Sequence, residues 1–235
     1  MPTIMDAITT AIGLIVSLDR DLFEIVLLSL RVSLSAVAVA AMIGIPLGAA
    51  LAVLRFPGRG TAIVIVNAMM GLPPVVVGLF VYLMLSASGP LGVLELLYSP
   101  AAMIIAQTIL VAPIIAALTQ ATLAEMLDEY DETLRALGAG RVDVIMTLLW
   151  DGRFALVTAL LAGLGRALAE VGAVMLVGGN IDHATRVMTT AITLETSRGA
   201  LSMALGLGIA LLLLTVALNG LVMGLRTRLE RPALV

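Results

Sequence analysis

Arg166 and Glu170 stand four residues apart in an otherwise apolar run, and their types and spacing could do chemistry inside a membrane. Four residues are just over one helical turn, so the two share a face, and a charge in hydrocarbon costs at least ~2.5 kcal/mol by insertion scales. The pair therefore borders a watery route or an interface between copies, or it closes a structural ion pair within a helix bundle. A second group lies in the polar stretch 125–153, where Glu132, Leu134, Arg135, Leu137, Gly138, Ala139 and Arg141 combine charge, apolar side chains and a glycine at fixed spacing. That stretch cannot lie in lipid. It suits presentation to a soluble partner, or else it is a solvated hairpin between two spans. A third group, Asn180, Thr185, Arg186, Thr189 and Thr190, occupies a polar stretch from Gly178 to Gly199 whose hydroxyls and guanidinium suit docking of an external protein or guidance of an anion.

Several chemistries are excluded by what the chain lacks. It has no lysine, no cysteine and a single histidine, His183. Without lysine there is no P-loop, and without cysteine there is no disulfide or thiolate metal site. No HExxH and no nucleophile elbow occur, so no catalytic residue, metal or cofactor is expected on this chain. The net charge of -3 gives no reason to expect nucleic acid as a partner.

The elements that must position these residues are read from hydropathy. Apolar residues make up 61% of the chain and charged ones 12%, with a mean hydropathy of +1.15, which places the protein in a bilayer. Each crossing needs roughly 20 apolar residues, and five stretches supply them: Leu22–Leu54, Thr61–Leu85, Ala101–Leu123, Phe154–Val177 and Ala200–Leu225. The expectation is an all-α polytopic bundle forming one membrane domain over 22–235. Ahead of it, residues 1–21 read as an amphipathic segment along the interface, or a short extra span, rather than a cleavable signal.

Arginine placement sets the orientation. Arg55 and Arg59, then Arg135, Arg141 and Arg153, then Arg226, Arg228 and Arg231 all fall on one side of a five-pass arrangement. That side is cytoplasmic, which puts the N-terminus outside and the C-terminus inside. Arg31, near the outer end of the first span, can snorkel to the interface. Pro73 and Pro74 lie within the second span, where they remove backbone donors and force a kink or opening of the kind that can line a path.

Within the polar stretch, Glu132-Thr-Leu-Arg-Ala-Leu-Gly138 and Leu148-x-Trp150-Asp151 resemble the cytoplasmic signature of the membrane subunits of binding-protein-dependent ABC importers. Thr133 and Leu134 replace two alanines of that signature, and Asp151 replaces its proline. Leu72-Pro-Pro-Val-Val-Val-Gly78, Gly89-Pro-Leu-Gly92 and the run from Gly165 to Asn180 resemble the molybdate- and tungstate-type branch, and Thr185–Ile192 is similar to the tungstate permeases. The resemblance implies a type I permease fold, pairing with a second copy, and a coupling helix over Glu132–Val142. That helix would be seated in a groove of a separate ATPase subunit, two copies of which would bind the ATP and Mg. It further implies an extracytoplasmic binding protein that delivers the oxyanion. Two other readings fit the residues alone: an ion-coupled secondary carrier with Arg166 and Glu170 as a relay, and a membrane scaffold without transport.

Overall fold

A computed structural model describes Met5, Ile8, Thr9, Ile12, Gly13 and residues 20–230, without the side chains of Arg135 and residues 225–230. The expected interfacial segment 1–21 and Arg231 fall mostly or wholly outside the described residues. All regular structure among the described residues is helical.

The bundle is built around one long parallel pair, α1 (Arg20–Val53) and α4 (Pro100–Ala136), which share the most extensive packing in the molecule. The sequence of α1 explains the closeness. Ser29, Ser33, Ala36, Ala40, Gly44, Gly48 and Ala52 recur about once per turn on its buried face, and small residues let membrane helices approach to backbone distance. A Cβ added at Gly48 would lie 2.5 Å from the carbonyl oxygen of Ala116, and one at Gly44 2.9 Å from that of Ala112. Three apolar layers stack along the pair. One is centred on Val32, Met103 and Val174, the next on Val37, Ile115 and Leu164, and the last on Ala52, Leu123 and Leu148.

The expected second span is a bent pair, α2 (Arg59–Met69) and α3 (Pro74–Leu85), meeting at 97°. Pro73 is extended (φ -65°, ψ 122°) and Pro74 opens α3, because a residue before proline is pushed out of the helical region while proline itself suits a first turn. Further on, α5 (Arg141–Asp151) and α6 (Arg153–Leu168) meet at 71° around Gly152. The last helix, α9, runs from Leu201 to Glu230. By length and composition α1, α4 and α9 can each cross a membrane, and the two bent pairs bring the candidate spans to five.

The third span is the apolar part of α4, which continues unbroken to Ala136 and carries the front half of the polar stretch. One expectation is corrected. The fourth span is not one helix, because α6 stops at Leu168 and a short α7 (Gly172–Gly178) begins after a break at residues 169–171. The stretch Gly178–Gly199 contains α8, Met188–Ser197.

Candidate translocation and coupling sites

The break between α6 and α7 gathers the polar interior. Arg166 Nη1 lies 3.1 Å from Glu170 Oε2, with the Glu170 side chain 3% exposed and that of Arg166 31% exposed. The other carboxylate oxygen, Glu170 Oε1, accepts the Ala173 N–H at 3.0 Å, so one side chain both pairs the arginine and caps the first turn of α7. Helix ends leave carbonyls without partners, and two neighbours supply donors here. Gln107 Nε2 of α4 donates to the Ala167 carbonyl at 3.0 Å, and the Thr189 hydroxyl of α8 donates to the Glu170 carbonyl at 2.8 Å. Ser29 of α1 accepts the Met188 N–H at 2.9 Å, which ties α8 to the central pair.

The proline break and the Arg166–Glu170 break abut. A Cβ added at Gly172 would meet Val75 Cγ2 at 2.9 Å and lie 3.8 Å from Glu170 Oε1, and one at Gly78 would fall 2.7 Å from Ala173 Cα. Pro73, Pro74, Arg166 and Glu170 are thus brought to neighbouring joints, where α3 packs on α7. Gly163 is likewise closed by Val111 at 2.8 Å, whereas Gly165 has nothing within 4 Å of an added Cβ and plays no part in close packing within the chain.

The outer group divides. Thr185 and Thr190 are 0% and 1% exposed, and Thr189 is 8% exposed. Thr185 accepts the Ile181 N–H at 2.9 Å and donates to the Gly178 carbonyl, while Thr190 accepts the Val187 N–H at 3.1 Å at the start of α8. These threonines build the loop from within and present no outer surface in the single chain. Asn180 takes a left-handed conformation (φ 51°), as asparagine tolerates, with its amide nitrogen 3.5 Å from the Thr190 carbonyl. Arg186 is held by Asp182 at 2.6 Å. It lines a cavity of about 220 Å³ with Asp21, Glu24, Asp182, Glu195 and His183. Two of these carboxylates are paired with guanidinium groups, Asp182 with Arg186 and Glu195 with Arg198 at 3.2 Å. His183 Nδ1 lies 3.0 Å from Glu24 Oε2. The hydrogen bond to Glu24, with the charge of Asp182 next, raises the histidine above its ordinary 6.5.

At the opposite end, Gly138 (φ +69°) closes α4, and the Ala139 N–H returns to the Leu134 carbonyl at 3.0 Å. This is the six-to-one bond of a Schellman stop, with glycine at the position that needs a left-handed backbone. The Asp143 carboxylate accepts the Gly140 N–H at 3.0 Å and starts α5. Glu132, Gly138 and Arg141 are exposed, and Leu134 and Ala139 are half-buried. Leu137 is 77% exposed, and beyond it Val142, Met146 and Trp150 are 71%, 64% and 69% exposed along one face of α5. Those three extend the surface past Arg141. Their four-residue spacing was readable in the sequence, as was the lone amide of Gln107 within an apolar run.

Residues 44–233 match the family of binding-protein-dependent transport system inner membrane components. The tungstate uptake system permease protein of Peptoclostridium acidaminophilum is 38% identical over 226 residues, covering 96% of this chain and 99% of that protein. A probable anion ABC transporter permease protein of Haloferax volcanii is 40% identical over 216 residues, 90% and 92% of the two chains. The tungstate uptake system permease protein of Campylobacter jejuni is 37% identical over 155 residues, 66% and 65% of the two. The chain belongs to the binding-protein-dependent transport system inner membrane component family. It is therefore a membrane-spanning permease of the ABC importer type, and permeases of this family work with an ATPase and a binding protein.

Proposed function

We propose that the chain forms, with a second copy of itself, the translocation pathway of an importer for tungstate or the chemically similar molybdate. What carries this reading is the similarity to a tungstate permease along 99% of that protein's length. The abutting joints at Pro73–Pro74 and Arg166–Glu170 support a place for the pathway or the interface between copies, because broken backbone at membrane depth persists only where protein covers it or water reaches it. Each copy engages one ATPase subunit through residues 132–142, and the exposed Val142, Met146 and Trp150 favour a protein partner on that surface. ATP and Mg are bound by the ATPase pair. ATP binding draws the two cytoplasmic turns together and opens the path outward to a loaded binding protein, and hydrolysis resets it inward. Selectivity resides mainly in the binding protein, since a pathway that gripped a dianion would fail to release it. The arginine bias supports an N-terminus outside and a C-terminus inside.

The test is uptake of labelled tungstate and molybdate by cells with and without the chain, with sulfate as competitor. Loss of tungstate or molybdate accumulation on deletion is expected. Unchanged accumulation, or loss of sulfate uptake alone, would overturn the assignment.

A further inference from the structure

Arg31 is exposed on α1 and has no ion pair or hydrogen bond among the described residues. The contrast with its neighbours is informative. Arg166, Arg186, Arg198 and His183 in the same half of the molecule each face a carboxylate at 2.6–3.2 Å. Arg31 instead stands on a stripe with Leu27, 56% exposed, and Leu34, 48% exposed, one turn to either side. A guanidinium set between exposed leucines on a membrane-spanning helix must find its counter-charge outside the chain or reach water.

Its level in the membrane follows from the other end of the same helix. Arg59 Nε and Nη2 bond the carbonyls of Leu51 and Ala52 at 2.6 and 3.1 Å, marking where α1 leaves the hydrocarbon. Arg31 is twenty residues earlier, or about 30 Å up the helix, which equals the hydrocarbon thickness. The guanidinium thus lies at the far boundary of the apolar layer, where tetrahedral phosphates of lipid headgroups begin.

We propose that Arg31 binds a tetrahedral oxyanion at the outer edge of the membrane, its planar fork meeting two oxygens at once. The flanking leucines favour a phospholipid phosphate as the occupant; the transported oxyanion has the same geometry and charge sign. That this edge is the outer one rests on the orientation proposed above, whereas the oxyanion chemistry does not.

The test uses the full permease–ATPase complex in nanodiscs and compares wild type with Arg31→Gln and Arg31→Lys. Native mass spectrometry counts retained phosphatidylglycerol, and proteoliposome uptake of tungstate is measured on the same preparations. If a headgroup is the ligand, Arg31→Gln loses about tenfold in lipid retention and Arg31→Lys a smaller factor, with uptake kept. If the transported anion is the ligand, lipid retention holds while the apparent KM for tungstate rises about tenfold in the glutamine variant. Either result supports the site and names its source. Unchanged lipid retention and unchanged KM in a monodisperse complex would overturn it, as would loss of the dimer with both kept, which would identify a carboxylate of the second copy as the partner. Wild type that fails to move tungstate while Arg31→Gln still sheds lipid would sink the proposed substrate and leave this site standing.

Discussion

Glu170 serves two partners with two oxygens, and that decides how its variants behave. Glu170→Ala strands Arg166 and uncaps α7, and is expected to lower stability by about 3 kcal/mol, read as a loss of melting temperature in detergent. Glu170→Gln keeps an acceptor for the Ala173 N–H and should lose much less. Exchanging the two charges, Arg166→Glu with Glu170→Arg, restores the attraction but leaves Ala173 without its acceptor, so recovery of uptake should be partial at best. His183 gives a pH test. Its value is raised in the folded state, so the stability it contributes is complete below the ordinary 6.5 and is lost as pH climbs through the raised value. The melting difference between wild type and His183→Gln should therefore shrink from pH 5 to pH 8; a difference that grows would contradict the link to Glu24. Spacing alone was enough to pair Arg166 with Glu170, because four residues fix a helical face. It could not reveal Gln107 or Ser29 as their neighbours, since those arrive from helices distant in sequence.

Among the elements, glycine positions separate packing from backbone geometry. Gly48→Ala would drive a Cβ into the Ala116 backbone and is expected to cost about 1–3 kcal/mol by forcing α1 from α4. Gly165→Ala meets open space and should be neutral or stabilise by up to about 1 kcal/mol. Gly138→Ala also meets open space yet must adopt φ near +69°, so a cost of about 1 kcal/mol comes from strain alone. If the turn couples to the ATPase, Gly138→Ala should depress tungstate uptake well beyond what its small change in melting temperature predicts. Helix boundaries were legible where side chains dictate them: Pro73–Pro74 announced the bend between α2 and α3, and Gly138 the end of α4. The break at residues 169–171 carried no proline, and its carbonyls are satisfied by Gln107 and Thr189 from other helices, so hydropathy read straight through it. Thr185 and Thr190 misled in the opposite sense. Their polarity suggested an outer surface, whereas their hydroxyls are spent on backbone inside the fold.

For the molecule as a whole, a chain without lysine, and so without a P-loop, should not drive accumulation with ATP by itself. Reconstituted without ATPase subunits, the chain is expected to give no accumulation of tungstate against a gradient, and addition of the ATPase, binding protein and ATP should restore it; uptake driven by an ion gradient in the bare chain would contradict the importer reading. The proportions of α4 set how a cytoplasmic movement would be felt outside. Its 37 residues form a rod about 55 Å long with no soft link between the apolar span and the turn at Gly138. Pro113 interrupts the hydrogen-bond ladder and is where such a rod most readily flexes. It sits roughly 35 Å from the inner tip and 20 Å from the outer one. Were α4 to pivot at that level without bending, a stroke at the long arm would arrive at the short one reduced by nearly half, whereas a bend at Pro113 would absorb it.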